Sequence, residues 1–479
     1  MDGKPTNQDR LKPGFQTQGG SPLSRRRFVQ ATATAVLTAA SWRRVWGANE
    51  RIGIGLIGYG LIGQSHLANF KAQSDVNMVA VAEAHRGRLE AAAAAIGGNV
   101  ARYGDFRKLL DDKNVDAVIV ATPDHWHALQ TMLACAAGKD VYVEKPLTVF
   151  VREGRWMVDL ANRHKRVVQA GTMQRSGPHY QRARQFIRDG QLGKIVSARD
   201  GFHRNIMPGF GKPPDQAPPA DLDWDMFLGP APMRPYNPNR GIYHFRWFWD
   251  YSGGQMTNLG AHSLDIIHWF LELRGPKAVY STGGRRFLDD NCETPDVQDA
   301  IFEYPNLTVA LSVRECSQGR GGEEIISPLS FHGTNGLLGV TRGSFSVSPD
   351  PILPPVNLVP GVRQGHPVGG PKYVPLEGPR QLRTKAVREG SGGEAQLLRL
   401  HARNFLDCVK SRQTPVSELE SSHGVATALH LANISLRVGR RVAWDAEKEE
   451  IIGDAEAAQM LVRPYRKPWD AELRSLKVV

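Results

Sequence analysis

After residue 50 the apolar positions fall into short runs separated by glycine, proline and polar clusters. Arg51-Ile52-Gly53-Ile54-Gly55-Leu56-Ile57 has strand length and leads into Gly58-Tyr59-Gly60-Leu61-Ile62-Gly63, with a helix predicted from Gln64 to about Gln73. Residues 78–82 read as a second strand ending at Glu83, 115–123 as a buried strand, 128–137 as a helix and 140–143 as another strand. Strands alternating with helices predict a parallel, doubly wound sheet. Further on the pattern changes. Residues 300–313 and 325–347 are β-rich and predict a mixed, largely antiparallel sheet. Residues 395–410 and 421–436 read as helices, the second with a buried stripe at 425, 428, 429, 431, 432 and 436. The expected class is therefore α/β, with a dinucleotide-type domain over 51–170 and an α+β domain with an open sheet over 171–479.

The chain has 479 residues, enough for two domains. With 41% hydrophobic and 23% charged residues, most of it can bury a core, and collagen, coiled coil and multi-span membrane architectures are excluded. Two stretches, 208–238 and 349–380, hold nine prolines each and read as long wrapping loops, over an active site or at an oligomer contact. The net charge of +12 does not mark a nucleic-acid binder, because half of it sits in the first 48 residues, where eight basic side chains face only Asp2 and Asp9. The remainder shows no basic stripe with interleaved aromatics.

Those first 48 residues read as an address. Ser24-Arg25-Arg26-Arg27-Phe28-Val29-Gln30 precedes a weakly apolar run from Ala31 to Ala40, the pattern of a twin-arginine export signal, which predicts a periplasmic protein. The run is too short for a stable membrane anchor. The export route carries folded proteins, so a cofactor would be acquired before leaving the cytoplasm. Cys135 and Cys408 read as buried thiols; Cys292 and Cys316 are free to pair, but nothing in their spacing demands it.

Strand, GxGxxG and helix in that order form a dinucleotide-binding fingerprint of the Rossmann kind. Gly58 permits the tight turn, Gly60 lets a pyrophosphate approach, Gly63 lets helix and strand pack closely, and Leu61 and Ile62 lie between them on the cofactor. The free N–H groups at the helix start favour phosphate. Glu83, twenty residues past Gly63, is placed to accept hydrogen bonds from the adenosine ribose and points to NAD, while Arg86 and Arg88 keep NADP open. Asp124-His125-Trp126-His127 follow a strand at its carboxyl end, where α/β folds place ligands.

With the glycine loop, Ala121-Thr122-Pro123 and His127, Glu144-Lys145-Pro146 and Ala170-Gly171-Thr172-Met173-Gln174-Arg175, the sequence resembles the Gfo/Idh/MocA oxidoreductases from about Arg51 onward. Asp223-Trp224-Asp225-Met226-Phe227-Leu228-Gly229-Pro230 and Tyr465-Arg466-Lys467-Pro468-Trp469 look like the exported bacterial branch of that family. The resemblance implies NAD(P)-dependent oxidation or reduction of a sugar, polyol or glycoside. It places Thr122, Pro123, His127, Glu144, Lys145 and Gln174 at the cofactor and implies a homo-dimer or tetramer.

Lys145 would then shuttle the proton of a substrate hydroxyl, and desolvation beside a cofactor cation would lower its pKa towards neutrality. The family usually has an aspartate four residues before a histidine on one helical face; here Asn258 stands before His262. Asn cannot ionise, so it can orient a partner but cannot set its protonation by charge. His262 is expected to bind or deprotonate a sugar hydroxyl, with Asn258 as helper. Arg175, Tyr243 and Trp249 are the further expected substrate contacts, the aromatics offering faces to the C–H side of a sugar ring. His262, Asp265 and His268 diverge too far around a helix to hold a metal, and none is expected. Two alternatives stay open: redox-neutral lyase, epimerase or glycoside-cleaving chemistry with a resident NAD, and a non-catalytic sugar-binding protein.

Overall fold

The computed structural model describes residues 51–317, 329–352 and 381–478. The expectations for the first 48 residues, and for most of the stretch 349–380, lie outside these. Strand β1 (Ile52–Ile57) is buried along its whole length, as a continuous apolar run must be at the centre of a sheet covered on both faces. It pairs in parallel with β2 (Val76–Ala82) on one side and β4 (Ala117–Val120) on the other. Ile54 and Leu56 keep no exposed surface, which is worth about 1.5–3 kcal/mol each relative to exposure.

With β3 (Ala101–Tyr103), β5 (Asp140–Val143) and β6 (Val168–Ala170) these strands complete a six-stranded parallel sheet of order β3-β2-β1-β4-β5-β6. The winding reverses between β1 and β4, which opens a crevice at the carboxyl ends of the strands. The glycine loop leaves β1 into that crevice and enters the helix Leu61–Lys71. One element starts earlier than the pattern predicts. The helix after β4 runs Asp124–Ala136 with Pro123 at its N-cap, so Asp124-His125-Trp126-His127 form its buried first turn and not a loop.

The second sheet has ten strands: β7 (Ile195–His203), β8 (Ala278–Gly284), β9 (Val297–Tyr304), β10 (Leu307–Arg314), β11 (Leu329–Gly333), β12 (Gly336–Val340), β13 (Ser344–Pro349), β14 (Val387–Gly390), β15 (Val442–Asp445) and β16 (Glu450–Ile451). Their order is β14-β13-β12-β11-β7-β10-β9-β8-β15-β16, and only the β7–β10 pair is parallel. Helices Gly260–Leu271 and Leu419–Val438 cover one face, where Leu264, Ile267, Phe270, Phe302 and Leu429 share one core. Along β10 buried and less buried residues alternate strictly, because the other face is open. Tyr280 and Ile301 are cross-strand neighbours on that face and both are exposed.

The proline-dense stretch 208–238 wraps back onto the first domain. The Asp223 N–H donates to the Ala84 carbonyl (3.0 Å) and the Arg86 N–H to the Asp221 carbonyl (2.8 Å). Trp126 Nε1–H donates to the carbonyls of Met226 and Phe227, and Gly229 lies so close that a Cβ there would meet the Trp126 ring at 2.1 Å. Cys292 and Cys316 are free thiols, as are Cys135 and Cys408. Among the described residues no helix is long and apolar enough to cross a membrane.

Candidate active site

The crevice holds an open cleft, lined on one side by the glycine loop and on the other by Leu222, Met226 and Phe227 of the wrapping segment. Its floor fits a dinucleotide for three separate reasons. Gly58 has φ +92°, and a Cβ there would also strike the Ala121 carbonyl at 2.7 Å. A Cβ at Gly63 would meet the Gly58 carbonyl at 2.3 Å, so helix and strand pack only over a hydrogen. At Gly60 the nearest protein atom to such a Cβ is Arg88 Nη1 at 3.9 Å, so nothing in the protein requires glycine there. The space it leaves faces the start of a helix with no side-chain cap and no acid in its first turn, which suits a pyrophosphate.

Gly60→Val is accordingly expected to leave the melting temperature near wild type while weakening NAD binding by about tenfold or more, read by calorimetric titration. Unchanged affinity would remove the pyrophosphate from this position.

Glu83 lines the cleft beside Arg88, and its carboxylate accepts the Tyr59 N–H (2.7 Å) and the His85 N–H (3.0 Å). It therefore steadies the glycine loop while presenting negative charge where a ribose would lie. Arg86 is exposed outside the lining. Leu61, Ile62, Thr122 and Pro123 line the same cleft, and Thr122 is held by its hydroxyl on Gln130 (2.8 Å).

At the end of β5 the chain turns through Glu144-Lys145-Pro146. Glu144 is buried, with one carboxylate oxygen 2.6 Å from His66 Nε2 and the other accepting the Lys145 N–H at 3.0 Å. Burial acts to raise its pKa, but the His66 contact and the nearby cations outweigh it and hold the carboxyl below its usual range. Lys145 is half-buried, and its ammonium donates to Asn258 Oδ1 (2.9 Å) and to the Asn258 carbonyl (3.2 Å). Its pKa is pushed down to about 8, first by burial, with Arg246 and Arg342 adding to the effect and Glu144 and Asp124 opposing it. A second, small cavity opens beside Lys145, bounded by Thr172, Thr257, Asp265 and His430 among mostly apolar side chains.

His262 lies one helical turn beyond Asn258, at the start of Gly260–Leu271. It is buried and its Nδ1 has no hydrogen-bond partner among the described residues. Burial, then the Lys145 and Arg342 cations, push its pKa well below the ordinary value, so the imidazole is neutral. Such a ring can accept or donate a hydrogen bond to a hydroxyl without competing with Lys145 for charge.

Several expected contacts do other work. Arg175 is fully buried: Nε and Nη2 donate to the two Asp265 oxygens (2.9 and 2.7 Å), and Nη1 donates to Ser421 Oγ (2.9 Å) and the Val416 carbonyl (3.2 Å). Four of its five N–H donors are thus committed within the protein, and it borders neither cavity. Trp249 borders neither cavity; its ring lies under the Arg437 guanidinium and its backbone N–H donates to Glu293. His127 is buried, with Nδ1 2.7 Å from the Pro146 carbonyl and Nε2 2.8 Å from the Thr122 carbonyl, so it braces the cofactor loops and does not touch the cleft. Glu144 acts in the same indirect way. Gln174 is buried beside Tyr180, donating to its hydroxyl at 2.6 Å, and its own Oε1 has no partner among the described residues. Tyr243 is on the cleft rim, 45% exposed, under the Arg246 guanidinium. His268 reaches the Tyr304 hydroxyl (2.6 Å), bracing its helix on the sheet.

Three contributions had no mark in the sequence: His66 under Glu144, Arg246 at the cleft, and the pair Gln255–Glu315 behind Asn258. Each depends on residues at least 60 positions apart, or on a loop whose path no periodicity fixes.

Fold and site together define a two-domain protein with a Rossmann dinucleotide cleft and, where the domains meet, a small, largely apolar cavity bordered by Lys145. Residues 52–172 match the oxidoreductase family's NAD-binding Rossmann fold, and residues 181–281 and 397–471 match the same family's C-terminal alpha/beta domain. The chain belongs to the Gfo/Idh/MocA oxidoreductase family.

Among its relatives, inositol 2-dehydrogenase 1 of Saccharopolyspora erythraea is 34% identical over 154 residues, 32% of this chain and 45% of that protein. The scyllo-inositol 2-dehydrogenase (NAD(+)) of Bacillus subtilis is 25% identical over 280 residues, 58% of this chain and 68% of that protein. The match thus spans about half the length of the first of these relatives. A levoglucosan dehydrogenase solved with NADH and levoglucosan shares the fold, with a TM-score of 0.61 at 18% identity over 82% of this chain and 99% of that one.

Proposed function

We propose that the protein is an NAD-dependent oxidoreductase acting on a hydroxyl of a sugar, polyol or glycoside, with the nucleotide held as a resident cofactor. The observation that carries this is the lysine at the end of β5. It is desolvated, held on Asn258, and adjacent to a dinucleotide cleft that only a ligand completes at Gly60. Gly58, Gly60 and the helix start would hold the pyrophosphate, and Glu83 the ribose. When bound, the nicotinamide supplies a two-electron hydride acceptor or donor. The proton is the protein's part: neutral Lys145 accepts it from the substrate hydroxyl at Nζ, or returns it in reverse, while Asn258 keeps the amine aimed and neutral His262 orients the sugar. The substrate class is supported by the names of the inositol and levoglucosan dehydrogenases to which the chain is similar.

A second reading is redox-neutral overall, a lyase, epimerase or glycoside-cleaving reaction in which the cofactor is restored in place. The wrapping segment that walls one side of the cleft supports it, because such a wall would slow the exchange of spent nucleotide. The Ser24–Phe28 arginine motif supports export through the twin-arginine route to the periplasm, where free nicotinamide cofactor is scarce. The open sheet face with Tyr280 and Ile301 supports a homo-oligomer.

Natively purified protein is expected to release stoichiometric NAD(H) on denaturation, read by mass spectrometry. A 340 nm signal that rises with sugar and persists identifies a dehydrogenase awaiting its second substrate; turnover with only a transient signal identifies the redox-neutral route. Protein that is empty and binds NAD weakly would leave a sugar-binding protein on an inherited fold.

A further inference from the structure

Behind Asn258 a single-file line of side chains runs into the second domain. Asn258 Nδ2 donates to Gln255 Oε1 (2.9 Å), and Gln255 Nε2 donates to Glu315 Oε1 (2.9 Å). Glu315 is completely buried just past the end of β10; its other oxygen accepts Trp247 Nε1–H at 2.6 Å, and Arg204 pairs with the first. We propose that Glu315 and Gln255 are positioning residues for Lys145, acting through Asn258 by fixing which end of each amide faces which neighbour. The proposal rests on Lys145 being the proton-transfer group.

Polarity sets the direction of each amide. An ionised carboxylate only accepts, so a buried Glu315 turns the amide NH₂ of Gln255 towards itself. The Gln255 oxygen must then face Asn258, whose NH₂ turns towards it, and the Asn258 oxygen is left facing Lys145. Reversing either amide would place donor against donor in a buried setting, which costs about 1–3 kcal/mol per unmet group. The line carries no proton, since neither amide titrates near neutrality. It holds the amine in place with dipoles where an aspartate would hold it with a charge. The other charged groups acting on Lys145 are Glu144, Asp124, Arg246 and Arg342, and none of them belongs to the line.

The test reads Lys145 directly and needs no substrate: acetic anhydride labelling of the whole protein across pH, with the Lys145 peptide followed by mass spectrometry. Wild type is expected to label with a midpoint near 8. Gln255→Met frees the Asn258 amide to turn its NH₂ to the amine, leaves the ammonium only the Asn258 backbone carbonyl of its two acceptors there, and should move the midpoint down by about half a unit or more. Asn258→Asp restores a charge at the acceptor and should raise it by about one unit or more. In an Asn258→Ala background Gln255→Met should shift nothing further, because its path to Lys145 is already cut. Melting temperature and nucleotide content report folding. A depressed midpoint that ignores Gln255→Met, with only the melting temperature falling, overturns the positioning role and leaves the proton-transfer reading standing. A wild-type midpoint near the ordinary 10.5 overturns that reading itself.

Discussion

Replacing Lys145 with methionine is expected to lower kcat/KM for the sugar substrate by about a hundredfold or more, with NAD affinity unchanged. Methionine keeps the stem and removes the amine proposed to take the hydroxyl proton. The direction of the stability change separates this from damage. Burial holds the folded-state pKa of Lys145 near 8, below the 10.5 of the free side chain, so between these values the unfolded chain binds more protons than the folded one. Lys145 therefore detracts from stability below about pH 8, and the penalty fades as pH rises towards 10.5. Lys145→Met should not lower the melting temperature at pH 7 and is expected to raise it. In wild type the rate of hydroxyl oxidation should climb through about pH 8 as the amine becomes neutral. Near-wild-type turnover in Lys145→Met, or a profile flat between pH 7 and 9, would mean the proton leaves by another path.

The second large effect is expected away from the chemistry. Asp265→Asn or Arg175→Met should each destabilise the protein by about 3–5 kcal/mol, measured as a loss in urea midpoint, because each strands an uncompensated buried charge. The pair is 1–2% exposed and joins the helix Gly260–Leu271 to the turn Met173–Ser176, with Ser421 and Val416 completing the guanidinium's bonds. Removing both charges together, Asp265→Leu with Arg175→Met, should recover much of the loss, since no orphan charge then remains. If the single variants prove mild, water reaches the pair and the burial argued here is wrong.

The contrast between these two residues marks how far the sequence could be read. The position of Lys145 was legible because its backbone is placed locally, by an apolar run of strand length and then Glu-Lys-Pro at its carboxyl end, although the partner of its ammonium, Asn258, lies 113 residues away. The glycine loop was legible for the same reason. Arg175 also follows a strand, and the same logic put it at the substrate, but its environment is set by Asp265, Val416 and Ser421, 90 to 246 residues further along. Trp249 misled similarly: a cluster of aromatics records how much apolar area must be buried, not which rings face a ligand. The substitution of Asn258 for the usual aspartate was visible at once. Its partners were not, because Glu315 is one acid past a strand until the fold carries it to Gln255. The helix beginning at Asp124 was missed by four residues, since His, Trp and Asp there are poor signals of a buried first turn.

The segment that crosses from the second domain to the first has a kinetic meaning. Its backbone bonds to Ala84 and Arg86 lie at the adenosine end of the cleft, and Leu222, Met226 and Phe227 form that end's far wall. A nucleotide seated against this wall would leave more readily once these bonds open. Its residence time would then depend on local breathing of a proline-rich strap as well as on the contacts it makes itself. Weakening the strap's anchorage at Asp223 would then be expected to turn a tenant that stays for many turnovers into one that trades places at each, with Lys145 untouched.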